Sequence, residues 1–234
     1  MNLTWIGAAL RGSGGRVGAF AVIGLSLLAA ACTSAMQPMP KLDPPKVLYG
    51  AVVDDTFTVA AVHIKRINPQ LLRQVVSTPP NMRKAPGTIL VDPANRFLYL
   101  TLAGGKSMRY GIGVGRQGFA WSGDAEIKDK QHWPKWFPPA EMVARDPRLK
   151  PVAKGQDGGP RNPLGARAMY LWANGKDTGY RIHGTNDPSS IGKAVSSGCI
   201  RMFNQDVIDL YERVPQGAEV IVLPAADETA ALTG

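Results

Sequence analysis

The sequence predicts a mainly β domain, a β-sandwich or partly closed barrel of mixed sheets with one short helix near its C-terminal end. Three observations predict it. Short apolar or alternating runs at 88–91, 97–102 and 108–114 are separated by Asp92-Pro93-Ala94-Asn95 and Ala103-Gly104-Gly105-Lys106, which is hairpin punctuation. Further strands are expected at 166–172, 180–183 and 218–223, with Asn174-Gly175-Lys176 as the turn between the first two. One stretch has a helical period: Val207, Leu210, Tyr211 and Val214 fall at i, i+3, i+4 and i+7, with Asn204 as N-cap and Pro215 and Gly217 as the stop.

The remaining segments are less regular. In 119–158, Trp121, Trp133, Trp136 and Phe137 interleave with Pro134, Pro138 and Pro139, which favours an irregular segment. Its rings either plug the end of a sheet or form a lid or groove wall. Gly111-x-Gly113-x-Gly115 belongs to strand and turn, because no helical pattern follows to make it a nucleotide loop.

The chain opens with a targeting segment. Residues 1–16 carry Arg11 and Arg16 and no acid, and 19–31 are apolar and small, too short for the roughly 20 residues of a membrane span. Residues 1–31 are therefore expected to be a cleaved signal. Leu28-Ala29-Ala30-Ala31-Cys32 resembles a bacterial lipobox, which would make Cys32 a lipid-bearing N-terminus; an ordinary signal peptidase site is the alternative. Proline-rich 32–58 reads as a flexible tether, 59–85 as a lead-in that packs on the domain, and 224–234 as a loose tail.

The formal charge of +9 falls to about +7 once Arg11 and Arg16 leave. This favours polyanionic surroundings such as a cell-wall polymer or lipid surface, but no basic stripe or recognised module points to nucleic acid. No metal or other cofactor is expected, since the three histidines have no ligand spacing.

The candidate chemistry lies in 179–204. Cys199 is the only cysteine beyond Cys32, and His183 stands sixteen positions before it. A thiol becomes a nucleophile when an imidazole within reach takes its proton, and the same imidazole can return that proton to a leaving group. Ser197-Gly198 make a Cβ-poor turn whose backbone N–H groups could face an oxyanion. Gly184 could present its carbonyl to the second imidazole nitrogen and fix the tautomer. A buried structural cysteine beside a satisfied core histidine is the alternative, against which the glycines and serines around Cys199 argue. In an oxidising compartment a single cysteine left over is a liability or a working group.

His183-Gly184-Thr185 followed by Ser196-Ser197-Gly198-Cys199-Ile200-Arg201-Met202 and Asn204 resembles the signature of the L,D-transpeptidase catalytic domain, the YkuD family. The similarity extends to the Gly159-Pro160-Arg161-Asn162-Pro163-Leu164-Gly165 turn, to Trp133-Pro134-Lys135-Trp136 and to Thr88-Ile89-Leu90-Val91-Asp92, covering 86–223. Ser197 stands where many members carry histidine, and Trp121-Ser122-Gly123-Asp124 replaces a common Thr-Pro-x-Gly turn. The resemblance implies that Cys199 forms a thioester with a peptidoglycan stem peptide, with His183 as base and Gly184 orienting it. It also implies that a second stem, or a lysine of an anchored protein, resolves the thioester. Arg201 suits a substrate carboxylate, with a structural ion pair as its alternative, and Ser196, Ser197, Gly198 and Tyr180 are further oxyanion or pocket candidates. A carboxypeptidase or cross-link hydrolase with water as acceptor, and a wall-binding module without chemistry, are the competing functions. The expected location is the periplasm or cell envelope, anchored through Cys32.

Overall fold

The computed structural model describes residues 42–115, 121–196 and 198–224. The signal segment, Cys32, Ser197 and the tail from 225 lie outside the described residues. In chain order come helix α1 (Pro45–Leu48), the hairpin β1 (Val52–Asp54) and β2 (Phe57–Val59), then β3 (Gln74–Ser77), β4 (Ile89–Asp92), β5 (Phe97–Leu102), β6 (Lys106–Gly111) and β7 (Val114–Gly115). There follow β8 (Gly123–His132), α2 (Ala140–Arg145), β9 (Arg167–Ala173), β10 (Lys176–His183), β11 (Ala194–Ser196), β12 (Ile200–Arg201), α3 (Asn204–Arg213) and β13 (Glu219–Val222). None of the helices among the described residues is long and apolar enough to cross a membrane.

Nine strands form one mixed sheet in the order β12-β10-β9-β8-β13-β4-β5-β6-β3, and the pairs β1-β2 and β11-β7 stand beside it. Within the large sheet the neighbours β12-β10 and β13-β4 are parallel and the rest antiparallel, while β1-β2 is antiparallel and β11-β7 parallel. The domain is therefore mainly β with mixed sheets, as expected, but the large sheet is open. Its edge strand β12 touches the chain leaving β6 at one bridge, where Gly113 and Arg201 exchange backbone hydrogen bonds of 2.8 and 2.9 Å.

Turn chemistry sets the hairpins. Asp92 accepts the Asn95 backbone N–H at 3.0 Å and its side-chain amide at 2.7 Å, closing β4 onto β5. Asn174 (φ 50°) and Gly175 (φ 72°) give β9 and β10 a two-residue turn with the twist that flanking strands require. β4 is buried at every position: Ile89 and Val91 enter the main core, while Leu90 packs with Tyr99 and Met82 on the other face. That explains a continuous rather than alternating apolar run.

The predicted helix is α3, and Val207, Leu210 and Val214 are at most 2% exposed against Met169, Leu171, Ile182 and Met202. Each such side chain contributes about 1.5–3 kcal/mol. Asn204 is not its N-cap, however. Phe203 occupies that position, and the Asn204 side chain is spent elsewhere. Nor is α3 the only helix, since α1 and α2 are short helices with no buried residue and so carry no apolar stripe to read.

The segment expected to be irregular contains β8, ten residues long and central in the sheet between β9 and β13. Only Ile127 of β8 is buried, so the strand lacks the alternation by which strands are recognised. Its charges are engaged instead: Lys130 donates to the carbonyls of Tyr211 (2.7 Å) and Val214 (2.6 Å) at the C-terminal end of α3, where a cation suits the helix dipole. Trp133 packs with Phe57, Val59 and Ala166, whereas Phe137 is exposed.

The tether expected through 58 is part of the domain from Leu42 on. Tyr49 is 1% exposed and its hydroxyl donates to the Asp206 carboxylate at 2.9 Å while accepting the Arg73 N–H at 2.6 Å. Arg167 holds Asp54 with two hydrogen bonds of 2.7 and 2.8 Å, and Gln205 donates to the carbonyls of Gly50 and Ala60 at 3.0 Å each. The lead-in supplies β3, an edge strand on β6.

Candidate active site

His183 ends β10 and Cys199 immediately precedes β12, and these two strands are parallel neighbours with Ile182 opposite Ile200 and His183 opposite Arg201. The Met202 N–H donates to the His183 carbonyl at 2.8 Å and continues the ladder. Extending that register by one residue sets Cys199 opposite Arg181, two residues short of His183, a Cα separation of about 8 Å. Strand pairing thus brings together residues sixteen apart in sequence.

His183 is 4% exposed, and its Nδ1 lies 2.6 Å from the Gly184 carbonyl oxygen. A carbonyl only accepts, so Nδ1 carries the proton and Nε2 of the neutral ring keeps its lone pair. Burial, reinforced by the Arg201 charge, outweighs the Gly184 and Leu164 carbonyls and lowers the His183 pKa to about 4. Cys199 is half-buried, and burial raises its thiol pKa against the opposing pull of the Arg181 backbone and the Arg181 and Arg201 charges. The resting pair at neutral pH is therefore thiol and imidazole, not thiolate and imidazolium.

Three segments converge to hold the histidine. Asn204 accepts from the N–H groups of Ala166 (3.0 Å) and Thr185 (3.2 Å) and donates to the Thr185 carbonyl at 2.9 Å. A Cβ on Gly184 or on Gly165 (φ 65°) would collide with the Asn204 side-chain oxygen, so both positions require glycine for this close approach. Asn162, fully buried, accepts from the Leu164 N–H at 2.8 Å and donates to the carbonyls of Pro134, Gln156 and Asp157. It thereby shapes the turn at Leu164, whose backbone pulls the His183 pKa upward against burial. The letters Asn-Pro-Leu-Gly and the lone Asn204 were the available signals; their convergence on His183 was not legible.

Asn204→Ala is expected to destabilise the domain by about 2–4 kcal/mol, because two N–H groups and one carbonyl lose their partner in a half-buried clamp. The urea midpoint measures this, and a loss under about 1 kcal/mol would show that solvent replaces the clamp.

The other candidates fall as follows. Gly198 is buried with φ 120°, in the turn that leads into Cys199. Ser196 ends β11, with its backbone paired to Gly115. The Tyr180 ring lies 5.8 Å from Trp121. Arg201 is half-buried, and its Nε is buried with no hydrogen-bond partner among the described residues. Arg181, not singled out in the sequence, is the better-held cation: it grips Asp177 with bonds of 2.8 and 2.9 Å and lies 4.4 Å over the Tyr170 ring. His132 stands apart, 3.2 Å from Asp55 and exposed. Among the described residues no group of three His, Cys, Asp or Glu side chains converges to hold a metal ion.

The low His183 pKa carries a stability consequence. Between about 4 and 6.5 the unfolded chain binds this proton and the folded one does not, so the contribution is full above 6.5 and is lost as pH falls through that window. It amounts to about 3 kcal/mol. Asp206 acts in the opposite sense: burial raises its pKa to about 7, so its contribution is lost as pH rises from about 4 towards 7. His183→Gln should leave the second slope exposed, with stability falling from pH 4 to 7 more steeply than in the wild type. Denaturant titrations at several pH values test this, and parallel curves for the two proteins would refute it.

A family model described as the L,D-transpeptidase catalytic domain (YkuD) matches residues 86–222. A Bacillus subtilis protein named provisionally as the L,D-transpeptidase YkuD is 55% identical over 62 residues, 26% of this chain and 37% of that protein. The probable L,D-transpeptidase YbiS of Escherichia coli K12 is 36% identical over 114 residues, 47% of this chain and 35% of that protein. A solved structure from Brucella melitensis, described as a probable carnitine operon oxidoreductase, is 49% identical, with 69% of this chain and 99% of that chain covered and a TM-score of 0.46. The chain spans about half or less of the length of the curated relatives it matches. With more than half of its residues inside the family model, and with the signature histidine at the end of β10 and the signature cysteine just before its parallel neighbour β12, the chain belongs to the YkuD family of L,D-transpeptidase catalytic domains.

Proposed function

We propose that this domain transfers a peptidoglycan stem peptide through a thioester on Cys199. The observation that carries this reading is the fixed tautomer of His183: with Nδ1 bound to the Gly184 carbonyl and the ring neutral at physiological pH, Nε2 is the basic nitrogen. The sulfur attacks the carbonyl of the diamino acid at the third position of a tetrapeptide while its proton passes to His183. The C–N bond to the terminal D-alanine breaks, and the imidazolium returns the proton to the departing amine. An amine of a second stem, or of a protein lysine, then attacks the thioester, gives its proton to His183 and expels the thiolate, which takes that proton back.

Backbone N–H groups around Gly198 and Cys199 hold the oxyanion in this mechanism. Arg201, half-buried in the strand paired with that of His183, receives a substrate carboxylate. Export as an envelope protein, lipidated at Cys32, is supported by the apolar segment and the lipobox-like letters before that cysteine.

Incubation with a disaccharide tetrapeptide, followed by intact-protein mass measurement and separation of products, tests the proposal. A stem adduct lacking D-alanine and a cross-linked dimer are expected. Absence of any adduct would overturn the thioester, and tripeptide without dimer would replace the amine acceptor with water.

A further inference from the structure

A cleft of about 390 Å³ lies between the lead-in segment and the loop that joins His183 to Cys199. One wall comes from Val62, His63, Arg66, Ile67 and Leu71, outside the span matched by the family, and the other from Asp187, Ile191 and Lys193. Its size is that of a small-ligand or short-peptide pocket. None of the candidate active-site residues lines it, yet the chain passes from Lys193 directly through β11 to Gly198 and Cys199.

The two walls are locked together. Gly192 (φ 84°) lets the loop press against Leu71, where a Cβ would lie 2.7 Å from the leucine methyl. The loop backbone is held by the Gly192 N–H on the Ile112 carbonyl (2.9 Å) and the Val114 N–H on the Lys193 carbonyl (3.0 Å). On the facing wall Asn68 accepts the Gln70 N–H at 3.0 Å. The shape is therefore preformed, which lowers the ordering cost of binding.

Its charge is asymmetric. Arg66 and Lys193 are exposed at the rim over an apolar floor of Val62, Ile67, Leu71 and Ile191. The single carboxylate, Asp187, has one oxygen bound to the Ser189 N–H (3.1 Å) and hydroxyl (2.7 Å), capping its own turn. Two cations over an apolar floor match a short peptide with free carboxylates and small side chains. A transpeptidase needs two such peptides, and the one bound as thioester occupies Cys199.

We infer that the cleft between residues 62–71 and 187–193 binds the acceptor stem peptide. This rests on the transpeptidase reading, and the test separates the two. The pair of substitutions Arg66→Glu and Lys193→Glu reverses both exposed charges without touching the candidate active site. Binding of a synthetic stem tripeptide, which has no terminal D-alanine to lose, is measured by calorimetry on wild type and double variant at two salt concentrations.

Tripeptide binding is expected to weaken about tenfold in the variant and to be salt-sensitive in the wild type. With tetrapeptide donor present, the dimer-to-tripeptide ratio should fall about as much while acylation of Cys199 stays within about twofold. Unchanged tripeptide affinity would overturn the inference, as would a parallel loss of acylation, which would assign the cleft to the donor. If the wild type is never acylated, the transpeptidase proposal fails, while tripeptide binding still scores the cleft on its own. An unchanged melting temperature of the variant confirms that the fold is retained.

Discussion

Cys199→Ala is expected to abolish both the stem adduct and every product of turnover, a loss of about 10⁵-fold, the scale at which removing the nucleophile of a covalent mechanism leaves only binding and oxyanion contacts. Stability should change little, by about 1 kcal/mol or less, because the side chain is half-buried and its truncation opens no deep cavity. Intact mass after exposure to a tetrapeptide reads the first effect and a urea midpoint the second. Persistence of the adduct in Cys199→Ala would assign the nucleophile to another residue.

His183→Gln should lower the rate by about 10²–10⁴-fold, the usual share of a positioned acid–base group. The pH dependence of the wild type is the more discriminating measurement. His183 is already neutral above about 4 and the Cys199 thiol stays protonated beyond its ordinary value of 9.0. The rate should therefore show no step near pH 6.5, and alkylation of Cys199 by iodoacetamide should keep accelerating above pH 9. An alkylation rate that levels off below pH 7 would mean a preformed thiolate–imidazolium pair and would contradict the buried, neutral histidine. In His183→Gln the alkylation profile should keep its shape, since burial and the two arginines, not the imidazole, dominate the thiol.

Much of this architecture was legible in the letters wherever it rested on neighbours in the chain. The hairpins around Asp92–Asn95 and Asn174-Gly175 are local backbone conformations, and the α3 stripe is a periodicity, so each could be read from a short window. β8 could not, because its polar side chains are satisfied by groups from α3 and the flanking strands rather than by a buried face. Asn204 has the composition of an N-cap, and two loops distant in sequence claim its side chain before the helix does. Tyr49 and Asp54 looked like part of a linker because their partners, Asp206 and Arg167, lie more than a hundred residues away.

By itself the sequence determined a β-rich domain, a cysteine and a histidine of complementary chemistry, and a helix after them, since these follow from residue type and spacing. It took the folded chain to make β10 and β12 parallel neighbours, to bury the imidazole and keep it neutral, and to turn the lead-in into one wall of a cleft. Register, burial and the resulting proton affinities are properties of pairs of segments, and no single segment carries them.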